Sequence, residues 1–137
     1  MVDYSRYFKE NLSETSPTTK EEIQRTEAYF GVGFPDGYKA FLLYSNGYEG
    51  WVGSSYVNLW KAEELIESNQ AYQVAEFCPQ LIIIGSDGGG EAFGLDTRSK
   101  SITFVAIPFI VMMWEDARFA GVTFEEFLDY LDQRLKE

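Results

Sequence analysis

"LIIIGSDGGGEAFGLD", residues 81–96, is the stretch that decides the fold. Its four leading apolar residues, 81–84, read as a buried strand, and "EAFGLD" reads as the partner of that strand. The glycines between them supply positive φ for a tight turn and leave room for another segment to approach closely. A link as short as 85–90 permits only an antiparallel return.

The same glycines invite three chemical readings, and each meets an obstacle. A phosphate-binding loop needs Lys-Ser/Thr after its glycines and a helix whose N-terminus faces the phosphate. Here Glu91-Ala92 follows in strand-like sequence, and Asp87 and Glu91 flank the loop with negative charge. A calcium loop needs oxygen ligands at alternating positions, whereas Asp87 is followed by three glycines. Alternation along a strand also sends Glu91 and Asp96 to opposite faces. A glycosidase-type carboxylate pair is compatible with 22 acidic residues, but nothing in the sequence selects one pair. The expectation is a structural hairpin, with no dedicated metal or cofactor site.

Outward from the hairpin, the chain alternates helix and strand signals. Tyr4, Tyr7, Phe8 and Leu12 recur at helical spacing over 3–12, and "SETSP" breaks that pattern. Thr18 with Glu21, or Thr19 with Glu22, forms a capping box for a helix reaching Phe30, where Gly31 and Gly33 end it. Pro35 and Asp36 open a further helix with Tyr38, Phe41, Leu42 and Ser45 on one face, stopped by Asn46-Gly47. Residues 48–55 read as a glycine-rich loop and "YVNLW", 56–60, as a strand. A helix is predicted over 62–76, closed by Cys78-Pro79. "SITFVAI" and "FIVMMW" read as two more strands, and Thr123 with Glu126 caps a terminal helix bearing Phe124, Phe127, Leu128, Leu131 and Leu135. The fold class is α+β: a single domain over 1–137, with a mainly antiparallel central sheet and helices at the N-terminus, at the C-terminus and inserted between strands.

Composition narrows the function. A chain of 137 residues with 45% hydrophobic and 17% aromatic residues buries one core without staples. Eleven basic residues against 22 acidic ones leave a net charge of −11, which repels nucleic acid and anionic membrane and attracts basic partners. Histidine is absent, which removes Ser-His-Asp and Cys-His catalysis and His-ligated metal. A single cysteine, Cys78, forms no internal disulfide, and with a charged N-terminus and no apolar run of ~20 residues the expected location is the cytoplasm. Tyr38, Trp51 and Trp60 are candidates for a ligand pocket, with core packing the plainer reading. The amphipathic tail "EEFLDYLDQRLKE" suits a partner helix, but its apolar stripe should first cover the sheet.

Three pieces together resemble a known superfamily. "EAYFGVGFPDGYKAFLLYSNGYEG", 27–50, is similar to the N-terminal signature of SUKH domains, of the Smi/Knr cell-wall-assembly-regulator type. Phe30-Gly31, Phe34-Pro35, Asp36, Tyr38, Phe41-Leu42 and Asn46-Gly47 fill its places. Residues 81–96 resemble the second signature and "TFEEFLDYL", 123–131, the terminal helix, so the resemblance spans about 20–135. It implies an α+β fold and no catalysis. Bacterial members are mostly immunity proteins that bind and neutralise a polymorphic toxin, often a nuclease, and fungal members are regulatory interaction modules. The expected partner is therefore a protein, a basic toxin domain. Asp87, Glu91 and Asp96 are the expected charged contacts, with Tyr48 and Trp51 as aromatic anchors. The alternatives are a regulatory interaction module and a small carboxylate-using hydrolase.

Overall fold

The stretch 81–96 folds as two antiparallel strands in the computed structural model, which describes residues 2–9 and 16–135. Strand β3 (Leu81–Ser86) and β4 (Glu91–Asp96) are joined by a turn in which the Asp87 amide donates to the Glu91 carbonyl at 3.0 Å. Gly88 takes the left-handed conformation there, with φ 82°. The register shifts between Ile83 and Gly85, as a bulge does. A side chain at Gly85 would strike the Asn58 carbonyl of the neighbouring strand, so glycine permits that close approach.

Four more strands extend the hairpin into a six-stranded antiparallel meander of order β1-β2-β3-β4-β5-β6. They are β1 (Tyr48–Val52), β2 (Ser55–Leu59), β5 (Thr103–Pro108) and β6 (Arg118–Gly121). Two of them differ from the sequence reading. The 48–55 stretch holds β1, because Tyr48, Gly50 and Val52 alternate inward and its glycines do not interrupt pairing with β2. "FIVMMW" is not a strand: after Pro108 the chain turns, Val111 sits at φ 54°, and Trp114–Asp116 form a 3-10 turn. The last strand comes later, at β6, pairing Val105 with Phe119.

Helix α2 (Asp36–Tyr44) starts after Pro35 without a side-chain cap, whereas α1 (Lys20–Phe30) and α5 (Phe124–Gln133) lie where their caps put them. Thr19 accepts from the Glu22 amide and Thr123 from the Glu126 amide, each at 3.1 Å. Gly31 at φ 73° closes α1. The helix expected over 62–76 is instead a 3-10 turn (Ala62–Glu64), α3 (Leu65–Ala71) and α4 (Val74–Phe77), parted by Gln73 at φ 55°. Near the N-terminus a 3-10 turn covers Tyr4–Arg6, and the rest of the 3–12 helix prediction lies partly outside the described residues. Phe8 bridges to Val52, and the Tyr7 hydroxyl donates to Asp129 at 2.6 Å, fastening this segment to β1 and α5.

The sheet is covered on both faces, so β3, β4 and β5 read as near-continuous buried runs. Aromatic rings dominate the α5 side. Phe127 stacks on Phe104 at 5.1 Å and meets Phe93 edge-on at 5.7 Å, while Phe124 stacks on Phe41 at 5.0 Å. Each such ring contributes about 1.5–3 kcal/mol by burial, and edge and offset contacts add to that. On the opposite side Tyr72 stacks on Phe109 at 4.7 Å and parallel to Trp60 at 6.0 Å.

Candidate interaction surface

Strand alternation separates the acids of the glycine hairpin. Glu91 shares a face with Phe93 and Leu95 and points toward α5, where Arg134 follows the helix. The Arg134 guanidinium donates to Glu91 at 3.0 Å, lies 4.0 Å from Asp87 and sits 5.3 Å from the Phe93 ring centroid. Both partners of the shorter contact are nearly enclosed, with side-chain exposures of 12% and 13%. Asp87 also accepts from the Gly89 and Glu91 amides, at 2.8 and 3.1 Å, so its carboxylate builds the turn. Arg118 stands 3.9 Å from Glu91.

Asp96 faces the other way and belongs to a separate cluster. It accepts from the Arg98 backbone and twice from its guanidinium, at 3.0, 3.0 and 2.8 Å. The Arg98 hydrogen bonds hold the Asp96 carboxyl below the usual carboxylate range, against the opposing effect of partial burial. The guanidinium is 3.8 Å from the Trp114 ring centroid. Asp87 and Glu91 are thus brought together, Asp96 is kept apart, and each is engaged by an arginine of its own chain. No cleft gathers the three for acid–base work.

The aromatic candidates divide as well. Trp51 is 47% exposed on β1 and meets Tyr56 edge-on at 5.6 Å. Tyr48 is buried, its ring 4.4 Å from Phe8. Its hydroxyl accepts from the Lys9 amide and donates to the Trp51 carbonyl, so it ties the N-terminal segment to β1 and presents no ring face outward. Tyr38 is a core residue, and Trp60, also largely buried, lines a polar depression together with Tyr48. Cys78 is buried at the end of α4, where burial pushes its thiol pKa up. Among the described residues, no three or more His, Cys, Asp or Glu are grouped to hold a metal ion, and no helix is long and apolar enough to cross a membrane.

Concavities also lie elsewhere among the described residues. A groove of about 820 Å³ runs between the end of α1, helices α3 and α4, and the start of β3, with Phe30, Val74 and Leu81 in its walls. In its wall, Asn69 takes the place of a strand: its carboxamide donates to the Ile83 carbonyl and accepts from the Ile83 amide, at 2.9 and 2.8 Å. A smaller, polar depression of about 470 Å³ includes Asn46, Glu49 and Lys61. There Asn46 donates to Glu63 at 2.7 Å, which lowers that carboxyl's pKa.

A further feature was not foreseen. Phe77, Ile110, Val111 and Phe119 are 61–81% exposed. The sequence reading placed 109–114 in a strand, which would have buried half of it. Pro108 followed by an unbroken apolar run was the available signal, since proline ends a paired strand.

The model of the SMI1 / KNR4 family (SUKH-1) matches residues 17–133. Among curated proteins, "Uncharacterized protein YnaB" of Bacillus subtilis (strain 168) is 35% identical over 100 residues, 73% of this chain. The aligned portion is 60% of that relative's length.

Proposed function

From the premise that the chain belongs to the SMI1/KNR4 (SUKH-1) family, we propose that it is an immunity protein, binding a cognate toxin domain and neutralising it without catalysis. The observation that carries this reading is the family match combined with a net charge of −11. An acidic protein that must find a basic domain gains association rate from long-range attraction, and it can lie across a groove that otherwise takes nucleic acid. A toxin domain with nuclease activity fits that chemistry. The acids of the glycine hairpin support the same reading in a limited way. Asp87, Glu91 and Asp96 are held in internal arginine contacts, which suits a rigid charged surface better than proton transfer. Trp51 on β1 is an exposed aromatic of the type that anchors interfaces.

Co-expression with a candidate toxin domain taken from the neighbouring genes tests the proposal. Cells should survive, and the two proteins should purify as a complex. Continued killing with no complex would sink the idea. Recovery of housekeeping or cell-wall proteins in place of a toxin would favour a regulatory interaction module.

A further inference from the structure

On the face of the sheet away from α5, apolar side chains stand in solvent. Tyr72, just past α3, stacks on Phe109, and the chain runs from Phe109 into Ile110 and Val111, 81% and 66% exposed. It returns through Met113 to Trp114, whose indole N–H donates to the Pro79 carbonyl at 3.0 Å. Pro79 lies two residues beyond Phe77, itself 61% exposed. One ring stack and one hydrogen bond therefore tie the apolar band 109–114 to the ends of α3 and α4, where Tyr72 and Phe77 are exposed as well.

Folding alone does not reward this arrangement. A β-branched residue in the left-handed region is strained, and Val111 at φ 54° spends that strain holding an apolar side chain in water. Burial against another surface would reverse the second cost. The rim says what kind of surface. Glu76 flanks Phe77, and Glu115 and Asp116 follow Trp114; all are exposed and none has a cationic partner among the described residues. The nearby arginines are already committed, Arg98 to Asp96 at 2.8 Å and Arg118 to Glu91 at 3.9 Å. A second copy would bring the same acidic rim against itself, which is repulsive.

We infer that this band is the docking centre for the toxin domain, taking a protein surface with an apolar middle and a lysine- or arginine-rich rim. The inference rests on the immunity reading and locates its contact surface. Apolar contact there sets the lifetime of the complex, while the rim selects for a basic partner.

The test uses the full chain and a catalytically inactive form of the toxin domain that the co-expression experiment pairs with it. Ile110→Asp and Val111→Asp should weaken binding by at least about 30-fold. Leu43→Asp, on α2 and also exposed, should bind as wild type does. Val111→Gly, which relieves the strain, should raise the melting temperature and still weaken binding, separating contact from folding. Wild-type affinity in Ile110→Asp overturns the location and leaves the immunity reading standing. Absence of a complex with the wild-type chain overturns both. A dimer in light scattering that Ile110→Asp dissolves would assign the band to a second copy and also overturn the proposal.

Discussion

Tyr38 keeps its hydroxyl in the core with no hydrogen-bond partner among the described residues, and burial pushes its pKa well up. Removing an unsatisfied buried polar atom removes a desolvation cost, so Tyr38→Phe should leave stability unchanged or raise it by up to about 1 kcal/mol in urea melts. A loss of several kcal/mol would mean that the hydroxyl has a partner. Asp96 makes the opposite case. Its carboxyl lies below the usual range in the folded chain because Arg98 binds the charged form. A depressed folded pKa stabilises above the unfolded value of about 4 and is lost as pH falls through the folded value. Wild type should therefore exceed Asp96→Asn in stability at pH 6, and the gap should close on acidification to about pH 2. A gap that widens would reverse the assignment. Arg98 is half exposed, so solvent screens the pair and the gap stays small.

Among the elements, those with local signals were legible in the sequence. Thr19 and Thr123 cap their helices, Gly31 ends α1, and the 81–96 hairpin turns at its glycines. Most misreadings came where something outside the stretch itself decided the matter. Glycines in 48–55 look like a loop until β2 pairs with every residue from Tyr48 to Val52. An apolar 109–114 looks like a strand until Val111 turns left-handed and β6 supplies the further partner of β5. A helix over 62–76 looks continuous because no local residue announces that Gln73 turns left-handed. Asn69 was equally hidden, since its role exists only where β2 leaves the side of β3. Asn69→Ala should cost about 2–4 kcal/mol, leaving the Ile83 amide and carbonyl unsatisfied. Hydrogen exchange at Ile83 should accelerate with it, and unchanged protection there would show that β3 needs no such substitute.

For the whole molecule, charge was legible and the tertiary surroundings of the expected contact residues were not. A net charge of −11 follows from counting, and it points to a cationic partner. The expected contact acids proved to be held internally, and Tyr48 proved to be buried, because side-chain partners are fixed by tertiary packing. The apolar band with its acidic rim appears only once the ends of α3 and α4 and the segment after Pro108 are brought together. Both features lead to one central claim, that this chain neutralises its partner by occupying it rather than by turnover. A titration of toxin activity with increasing amounts of the chain, at toxin concentrations well above Kd, tests that claim most directly. The account predicts that activity falls in a straight line and reaches zero at one equivalent, with the chain recovered intact. Complete inactivation by a small fraction of an equivalent, or undiminished activity with the chain in several-fold excess, would contradict it.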